Sequence, residues 1–278
     1  LAALHLNDKD RRALIETTLR RLAFVHEKST LAERDSLYAD ALKKLEQAEI
    51  RSPWSTSVSF VLAGFLNTRG DAYDPFREDA SRWLKKEAVE VCRAALKRFP
   101  GSEGAKNCQA LDVSIAAPFL QVTTEAAVVG EKPSLALLGM KNLRQIRFRL
   151  IRTDPELFRE NTSGLDRTKL FDYLSSLTAS ASWNQEIPDP GDYQKHRAEM
   201  AVPETKAGFW ILLCTLPGEG KGADPVFAYT SFWSTRISYI AKRHNDGAQG
   251  YYILDRETGH PLPGVTAELW ERAYDYRE

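Results

Sequence analysis

Cysteine and histidine are the residues most able to do chemistry in this chain, and their spacing matches no common site. The five histidines, His5, His26, His196, His244 and His260, include no His-Glu-x-x-His arrangement and no two lie one helical turn apart. There is no Cys-x-x-Cys pair and no Gly-x-Ser-x-Gly elbow. The sequence therefore predicts no catalytic, cofactor-binding or metal-binding residues and indicates a protein that is not an enzyme.

The three cysteines, Cys92, Cys108 and Cys214, are too few for a disulfide framework. Cys92 and Cys108 lie in neighbouring predicted helices and could pair. The alternative is that both are small buried hydrophobic residues. Their number therefore leaves both the pairing and the cellular compartment open.

Two local patterns imitate ligand sites. The segment from Gly218 to Gly222 has the glycines and the lysine of a phosphate-binding loop, but it lacks the P-loop spacing and no helix follows it. Asp71 and Asp74 flank a turn, whereas a calcium loop needs more oxygen ligands at regular spacing. A hairpin connection and a helix-ending turn explain these two segments better.

Composition excludes several classes of function. The 278 residues are enough for two domains, and 43% hydrophobic with 27% charged residues is typical of a soluble globular protein. The 38 basic residues balance the 38 acidic ones, which argues against a nucleic-acid partner. No apolar run reaches the roughly 20 residues of a membrane helix, so the chain itself is not expected to span a membrane. The first residues do not match a signal peptide, which leaves location open.

Residues 1–115 are predicted to form a domain of antiparallel helices. Apolar residues recur at three- and four-residue spacing over about 8–27, 31–45, 54–67, 75–99 and 102–113. Short turns between them, such as Pro100-Gly101, favour helical hairpins. The segment from Ala88 to Ser102 resembles the second half of a tetratricopeptide repeat, although no 34-residue period runs through the rest. The domain is therefore interpreted as repeat-like.

Residues 116–246 are predicted to form a β-sandwich. From Leu143 to Ile151 apolar residues alternate with Gln145, Arg147 and Arg149, which predicts a strand with one wet face. Further strands are predicted over 209–214 and 226–233, with others over 120–128, 193–201 and 236–241. A helix over about 166–177 belongs to an insertion near 155–190. The segment 244–247 is a linker or a turn.

Residues 247–278 are predicted to begin a second, truncated β-sandwich. The segment reads as a strand, a tight turn and a strand. In the turn, Asp255 and Thr258 can bond local amides, and Gly259 permits a positive φ.

Four segments carry a family resemblance. The string Asp-Arg-Glu-Thr-Gly-His-Pro-Leu-Pro-Gly-Val from Asp255 to Val265 resembles the opening of an immunoglobulin-like macroglobulin domain, a pattern that carboxypeptidase-regulatory-like domains share. Residues 88–108 resemble the helical leader of large bacterial alpha-2-macroglobulin-like proteins. Residues 143–152 and 206–213 resemble two strands of their first macroglobulin domain. The chain is thus similar to the N-terminal part of the Bacteroidetes-type members.

The resemblance implies a fold and a role. The fold would be a helical domain followed by a macroglobulin β-sandwich, within a large protease inhibitor of the cell envelope, in the periplasm or at the outer membrane. Its partners would be proteases, trapped by the full-length protein. Many members carry a Cys-Gly-Glu-Gln thioester, but Arg93, Gln109 and Thr215 follow the three cysteines here. No residue of this chain is therefore assigned a thioester or bait role.

Two other functions stay open. The helical domain could bind a protein partner in a groove, with the sandwich as a spacer. Alternatively, the β-domain could be an accessory part of an outer-membrane carbohydrate or transport system, which the regulatory-domain-like ending permits.

Overall fold

The computed structural model describes residues 10–77, 80–218 and 225–268 of the chain. Helices occupy the first part and strands, with two further helices, the second, so the chain is a mixed α and β protein. The helices are α1 Arg12–Lys28, α2 Arg34–Ala48, α3 Ser55–Gly70, α4 Leu84–Arg98, α5 Glu103–Ala116, α6 Pro155–Thr162 and α7 Arg167–Ser176. The strands are β1 Phe119–Thr124, β2 Ala127–Val128, β3 Ser134–Lys141, β4 Gln145–Thr153, β5 Ala181–Glu186, β6 His196–Val202, β7 Gly208–Thr215, β8 Phe227–Ser234, β9 Ile237–Arg243 and β10 Gln249–Asp255.

The chain forms two compact units. The first contains the described part of Leu1–Leu120 together with Gly139–Gln145 and Glu186–Arg197. The second contains Gln121–Leu138, Ile146–Gln185 and the described part of Ala198–Glu278. Two segments that fall within the predicted β-domain thus belong to the same unit as the helices.

Helix α3 lies at the centre of the first unit because its residues are apolar or small on every side. Val58, Leu62 and Ala63 are fully buried, as are the small polar residues near its start. A helix that is hydrophobic all round must be covered on all sides, and α2, α4 and α5 all pack against it. The core they share consists of Ile15, Leu42, Val58, Leu62, Ala63, Leu66, Ala88, Val89, Cys92, Ala95, Cys108 and Ile115.

The start of α5 approaches the start of α3 so closely that only glycine fits. A Cβ atom on Gly104 would lie 2.3 Å from backbone atoms of Thr56 and Ser57. The hydroxyls of Thr56 and Ser102 form a hydrogen bond of 2.8 Å at the same place. Ser102 also accepts a bond from the Ala105 amide, which makes it the N-cap of α5.

The prediction of one helix over 75–99 was wrong at its beginning. The Asp74 carboxylate accepts a hydrogen bond from the Phe76 amide, 3.0 Å away, which closes a local turn in place of a helix. A short 3₁₀ helix, Ala80–Trp83, then leads into α4. Side-chain bonds of this kind compete with helix formation, and apolar periodicity does not detect them.

A five-stranded sheet in the order β2-β8-β7-β4-β5 dominates the β region. Strand β7 is antiparallel to both neighbours, with Leu212 opposite Leu150 in β4 and Thr230 in β8. From Trp210 to Thr215 every residue of β7 is buried, so both faces of the sheet are covered at its centre. The continuous apolar run predicted as a strand over 209–214 is this central strand.

Helices α6 and α7 cover one face of this sheet. Phe158 of α6 and Phe171 of α7 belong to one apolar cluster with Ile151, Leu174, Ile211, Leu213 and Phe227. Helix α7 matches the helix predicted over 166–177, whereas α6 was not predicted. Its signal is nevertheless present: the Asp154 carboxylate caps the Glu156 and Leu157 amides at 2.9 and 3.0 Å, and Pro155 begins the helix.

The prediction that one face of β4 is exposed to solvent was wrong at Arg149. The guanidinium of Arg149 donates to the carbonyls of Ser175, at 3.0 Å, and Leu177, where α7 ends. These carbonyls have no partner within the helix, and a cation there is also favoured by the helix dipole. Burial lowers the pKa of Arg149, and the nearby Arg147 acts in the same direction. Alternation alone could not reveal that the insertion folds back over this face.

Two smaller sheets complete the β region. The strands of one have the order β1-β3-β6, and β9 and β10 form the other. The segments predicted as strands over 120–128 and 236–241 correspond to β1 with β2 and to β9. The segment predicted over 193–201 begins later, as β6 at His196.

We expect Arg149→Ala to destabilise the second unit by about 1–2 kcal/mol, because the last carbonyls of α7 would lose a charged donor. The free energy of unfolding from urea titration measures this. Arg147→Ala removes an exposed arginine two residues away on the same strand and is the matched control. Equal stability of the two variants would contradict the capping role.

Candidate functional sites

The motif that carried the family resemblance forms a turn held by one carboxylate. Oδ1 of Asp255 accepts hydrogen bonds from the Glu257 amide (3.1 Å), the Thr258 amide (2.9 Å) and the Thr258 hydroxyl (3.0 Å). Gly259 has a φ of 70°, a conformation that L side chains rarely adopt. The amide and hydroxyl of Thr258, in that order, hold the pKa of Asp255 below its usual range. Asp255, Thr258 and Gly259 therefore each have a physical role in the turn.

The chain returns along β10 after this turn. The Asp255 amide donates to the His260 carbonyl and the Leu262 amide to the Ile253 carbonyl, at 2.8 and 3.0 Å. Pro261 is opposite Leu254 as an isolated antiparallel bridge. The predicted strand after the turn is thus reduced to a short return, since Pro261 and Pro263 lack amide donors for a longer ladder.

The β9–β10 ribbon has exposed apolar side chains on both faces. The two strands pair in register from Ile237 with Asp255 to Arg243 with Gln249. The predicted linker or turn at 244–247 is the tip of this hairpin, where the backbone carbonyl of His244 accepts a hydrogen bond from the Gly247 amide. Tyr239 and Tyr251 contact each other on one face, and Ile240 and Tyr252 are exposed on the other. An isolated two-stranded ribbon is marginally stable, so such faces are typical of a strand pair that packs against neighbours.

A buried carboxylate, Asp192, organises a polar cluster in the first unit. It is 1% exposed and accepts bonds from His196 Nε2 (2.9 Å), Arg82 Nε (2.9 Å) and the Gln194 amide (3.1 Å). Burial acts to raise the pKa of Asp192. The bonds from His196, the Gln194 amide and Arg82 outweigh this effect and hold the pKa below its usual range.

The surroundings of Asp192 favour a structural role over acid–base catalysis. Nε2 of Gln194, a buried residue, donates to the carbonyls of Gly70 and Arg82 at 3.0 and 3.1 Å. Gly70 ends α3, so Gln194 satisfies a carbonyl that the helix leaves without a partner. Asp192 and Gln194 together fasten the segment Glu186–Arg197 to helical residues of its own unit. The sequence pattern placed this segment in the predicted β-domain and indicated no role for Asp192.

An apolar groove of about 200 Å³ lies between α1 and α2. Its walls are Leu22, Val25, His26, Ser29, Leu31, Arg34, Leu37, Tyr38 and Ala41. Val25, Leu31 and Leu37 are each more than half exposed. The groove is large enough to take one apolar side chain of a partner.

One wall of the groove is held by a charged network. His26 stacks on Tyr38 and lies 2.7 Å from Oδ1 of Asp35, whose other oxygen is 3.0 Å from Arg69. The hydrogen bond with His26 is the main cause that lowers the pKa of Asp35. His26 and Asp35 are therefore already paired with each other, and the groove offers apolar surface more than reactive groups.

A more open cavity of about 250 Å³ lies at β5, the edge strand of the five-stranded sheet. Its lining includes Arg147, Ser182, Trp183 and Asn184. Trp183 stacks on the fully buried Phe148 with the ring centroids 5.2 Å apart. This tryptophan therefore covers the core of the sheet.

The weaker sequence candidates are dispersed. Of the glycine-rich segment only Gly218 is described, and residues 219–222 lie outside the described residues, as does His5. Asp71 is paired with Lys85 at 2.6 Å, and Asp74 closes the turn before α4. Among the described residues no group of three or more His, Cys, Asp and Glu side chains could hold a metal ion. No helix in the same part of the chain is long and apolar enough to cross a membrane.

We expect Asp192→Asn to destabilise the chain by about 3 kcal/mol at neutral pH, because removal of one buried charge leaves Arg82 and His196 without their partner. Since the folded pKa of Asp192 is lowered, its contribution is present above the unfolded value of about 3.9 and is lost as the pH falls through the folded value. The difference in free energy of unfolding between wild type and Asp192→Asn should therefore become smaller below about pH 4. Urea unfolding across pH 3–7 measures this.

Glu199→Gln, which neutralises an exposed carboxylate on β6, is the matched control for this series. A gap between wild type and Asp192→Asn that widens towards low pH would contradict the assigned role.

Comparisons with known proteins give no family. No family model matches the chain, and no curated protein matches it. Among solved structures, a crystal structure of the CARDB domain of a Pyrococcus furiosus protein in complex with di-metal ions is 10% identical, with a TM-score of 0.25. The solution structure of the same domain is 11% identical with the same TM-score. The alignments cover 42% of this chain and 92% and 94% of those chains. Similarity this low carries no conclusion about the fold or the function.

Proposed function

We propose that this chain is a non-catalytic structural part of a large alpha-2-macroglobulin-like protease inhibitor of the bacterial cell envelope. One observation carries the proposal: the segment Asp255–Val265, which resembles the opening of a macroglobulin domain, folds as the turn that its residue types require. Asp255, Thr258 and Gly259 are each used for the geometry that only those residue types supply easily.

The β region supports a mechanical role. The five-stranded sheet is buried on both faces at its centre, which makes it a rigid element. The ribbon β9–β10 extends apolar side chains from both faces. In the proposed protein these strands belong to a row of macroglobulin-type sandwiches, and the exposed faces contact the next domain. The repeat-like helices form the N-terminal leader.

The described residues support a role without chemistry. Their three cysteines are buried. The buried carboxylate of Asp192 already accepts hydrogen bonds from Arg82, the Gln194 amide and His196. In the proposed protein, trapping is a property of the whole assembly, and this part holds neighbouring domains in position.

The test uses the complete protein from which this chain derives, incubated with proteases of broad specificity. We expect cleavage of the inhibitor at one region and reduced protease activity on a large protein substrate, while activity on a small chromogenic peptide persists because a trapped protease keeps its active site. The matched control is the same protein after heat denaturation. Unchanged activity on the large substrate, without cleavage of the inhibitor, would rule the function out.

The second candidate is a protein-interaction module on the helices, and the groove between α1 and α2 favours it. The groove is open, apolar and large enough for one large apolar side chain. Peptides selected by phage display on the full chain provide the test. We expect them to lose at least about tenfold in affinity on Leu37→Asp, because a charge placed in the groove must be desolvated when the peptide binds.

Phe76→Asp is the matched control for this experiment. Phe76 is 95% exposed and does not line the groove. Selected peptides that bind both variants as tightly as wild type would exclude the groove as the binding site.

A further inference from the structure

Cys92 and Cys108 lie at the same level of one helical hairpin. Helix α4 ends at Arg98 and α5 begins at Glu103, with a short turn between them. Cys92 is six residues before the end of α4, and Cys108 is five residues after the start of α5. Since both helices rise about 1.5 Å per residue, the two positions are nearly equally far from the turn.

The two thiols also share one buried core. Both side chains belong to the core of the first unit, with exposures of 1% and 0%. Each thiol shifts the pKa of the other, as is expected of neighbouring thiols on adjacent packed helices. Both are unpaired thiols in this structure, so the arrangement is a preformed dithiol between adjacent helices.

We infer that Cys92 and Cys108 form an intrachain disulfide when the chain folds in the presence of a disulfide oxidant. A small disulfide such as oxidised glutathione, or the disulfide of a thiol–disulfide oxidoreductase, is sufficient. One thiolate attacks the oxidant's disulfide and releases its first thiolate. The second cysteine then attacks this mixed disulfide and releases the other. The pair loses two electrons and two protons, and the oxidant becomes two thiols.

The surroundings of the two thiols differ in the folded hairpin. Cys108 lowers the pKa of Cys92, whereas Cys92 and burial raise the pKa of Cys108. Because both are buried, exchange takes place before α4 and α5 have packed, or during local opening of the hairpin.

The third cysteine supplies an internal standard. Cys214 lies in β7 of the second unit, fully buried, and burial raises its pKa. The inference assigns it no partner. A chain with the proposed bond therefore keeps one of its three thiols, and this ratio distinguishes the pair from general oxidation. The inference is independent of the proposed inhibitor function, and either can fail without the other.

The experiment refolds the full chain with a mixture of reduced and oxidised glutathione and titrates thiols under denaturing conditions. We expect one thiol per chain after oxidative refolding and three after reduction. Digestion and mass spectrometry should find a peptide that links Cys92 to Cys108 and loses about 2 Da relative to its reduced parts. The bond should raise the midpoint of thermal unfolding by roughly 5–10 °C, because it closes a loop of some 15 residues in the unfolded chain.

Cys214→Ser is the matched variant and should show no thiol after oxidation while keeping the thermal shift. Cys92→Ser and Cys108→Ser should show two thiols and no linked peptide under the same conditions. Three thiols after oxidative refolding of the wild type, or glutathione adducts in place of the linked peptide, would overturn the inference. A bond that forms but leaves the thermal midpoint unchanged or lowered would show that it does not fit the native hairpin.

Discussion

Burial of both faces of the central sheet is the constraint on which the β region depends. Strand β7 is buried at every residue from Trp210 to Thr215, so each face of the sheet must be covered. Helices α6 and α7 meet this requirement on one face with Phe158, Phe171 and Leu174. Burial at this scale is the largest favourable contribution to folding. It also explains why an insertion between two strands is held in a defined place.

The same need to cover buried surfaces determines where the charged side chains find their partners. Once α7 lies on the sheet, Arg149 reaches its last carbonyls from β4. Asp192 plays the corresponding part in the first unit, where it gathers Arg82, His196 and an amide around one buried charge. In both places a charged side chain holds segments together because leaving the polar groups without partners would cost more than ordering the side chain.

The sequence predicted those elements whose residues carry a local signal. Helical periodicity located α1, α3, α5 and α7, and a continuous apolar run located β7. The turn at Asp255 could be predicted because its bonds join neighbours in the chain. The roles of Arg149, Asp192 and Gln194 could not be predicted, since each of them has a partner that lies roughly 25 to 125 residues away. The helix expected from Pro75 began later because the Asp74 carboxylate accepts a hydrogen bond from the Phe76 amide and closes a turn there.

The missing side chain at Gly104 has an effect beyond its own position. Helix α5 rests on the backbone at the start of α3 with only a hydrogen atom between them. Any larger group there would act as a wedge that tilts α5 about the turn at its N-terminus. The displacement would grow along the helix, so Cys108 would separate from Cys92 and Ile115 would leave the core at the far end. The spacing of the whole hairpin is thus set by the smallest substituent that an amino acid can have.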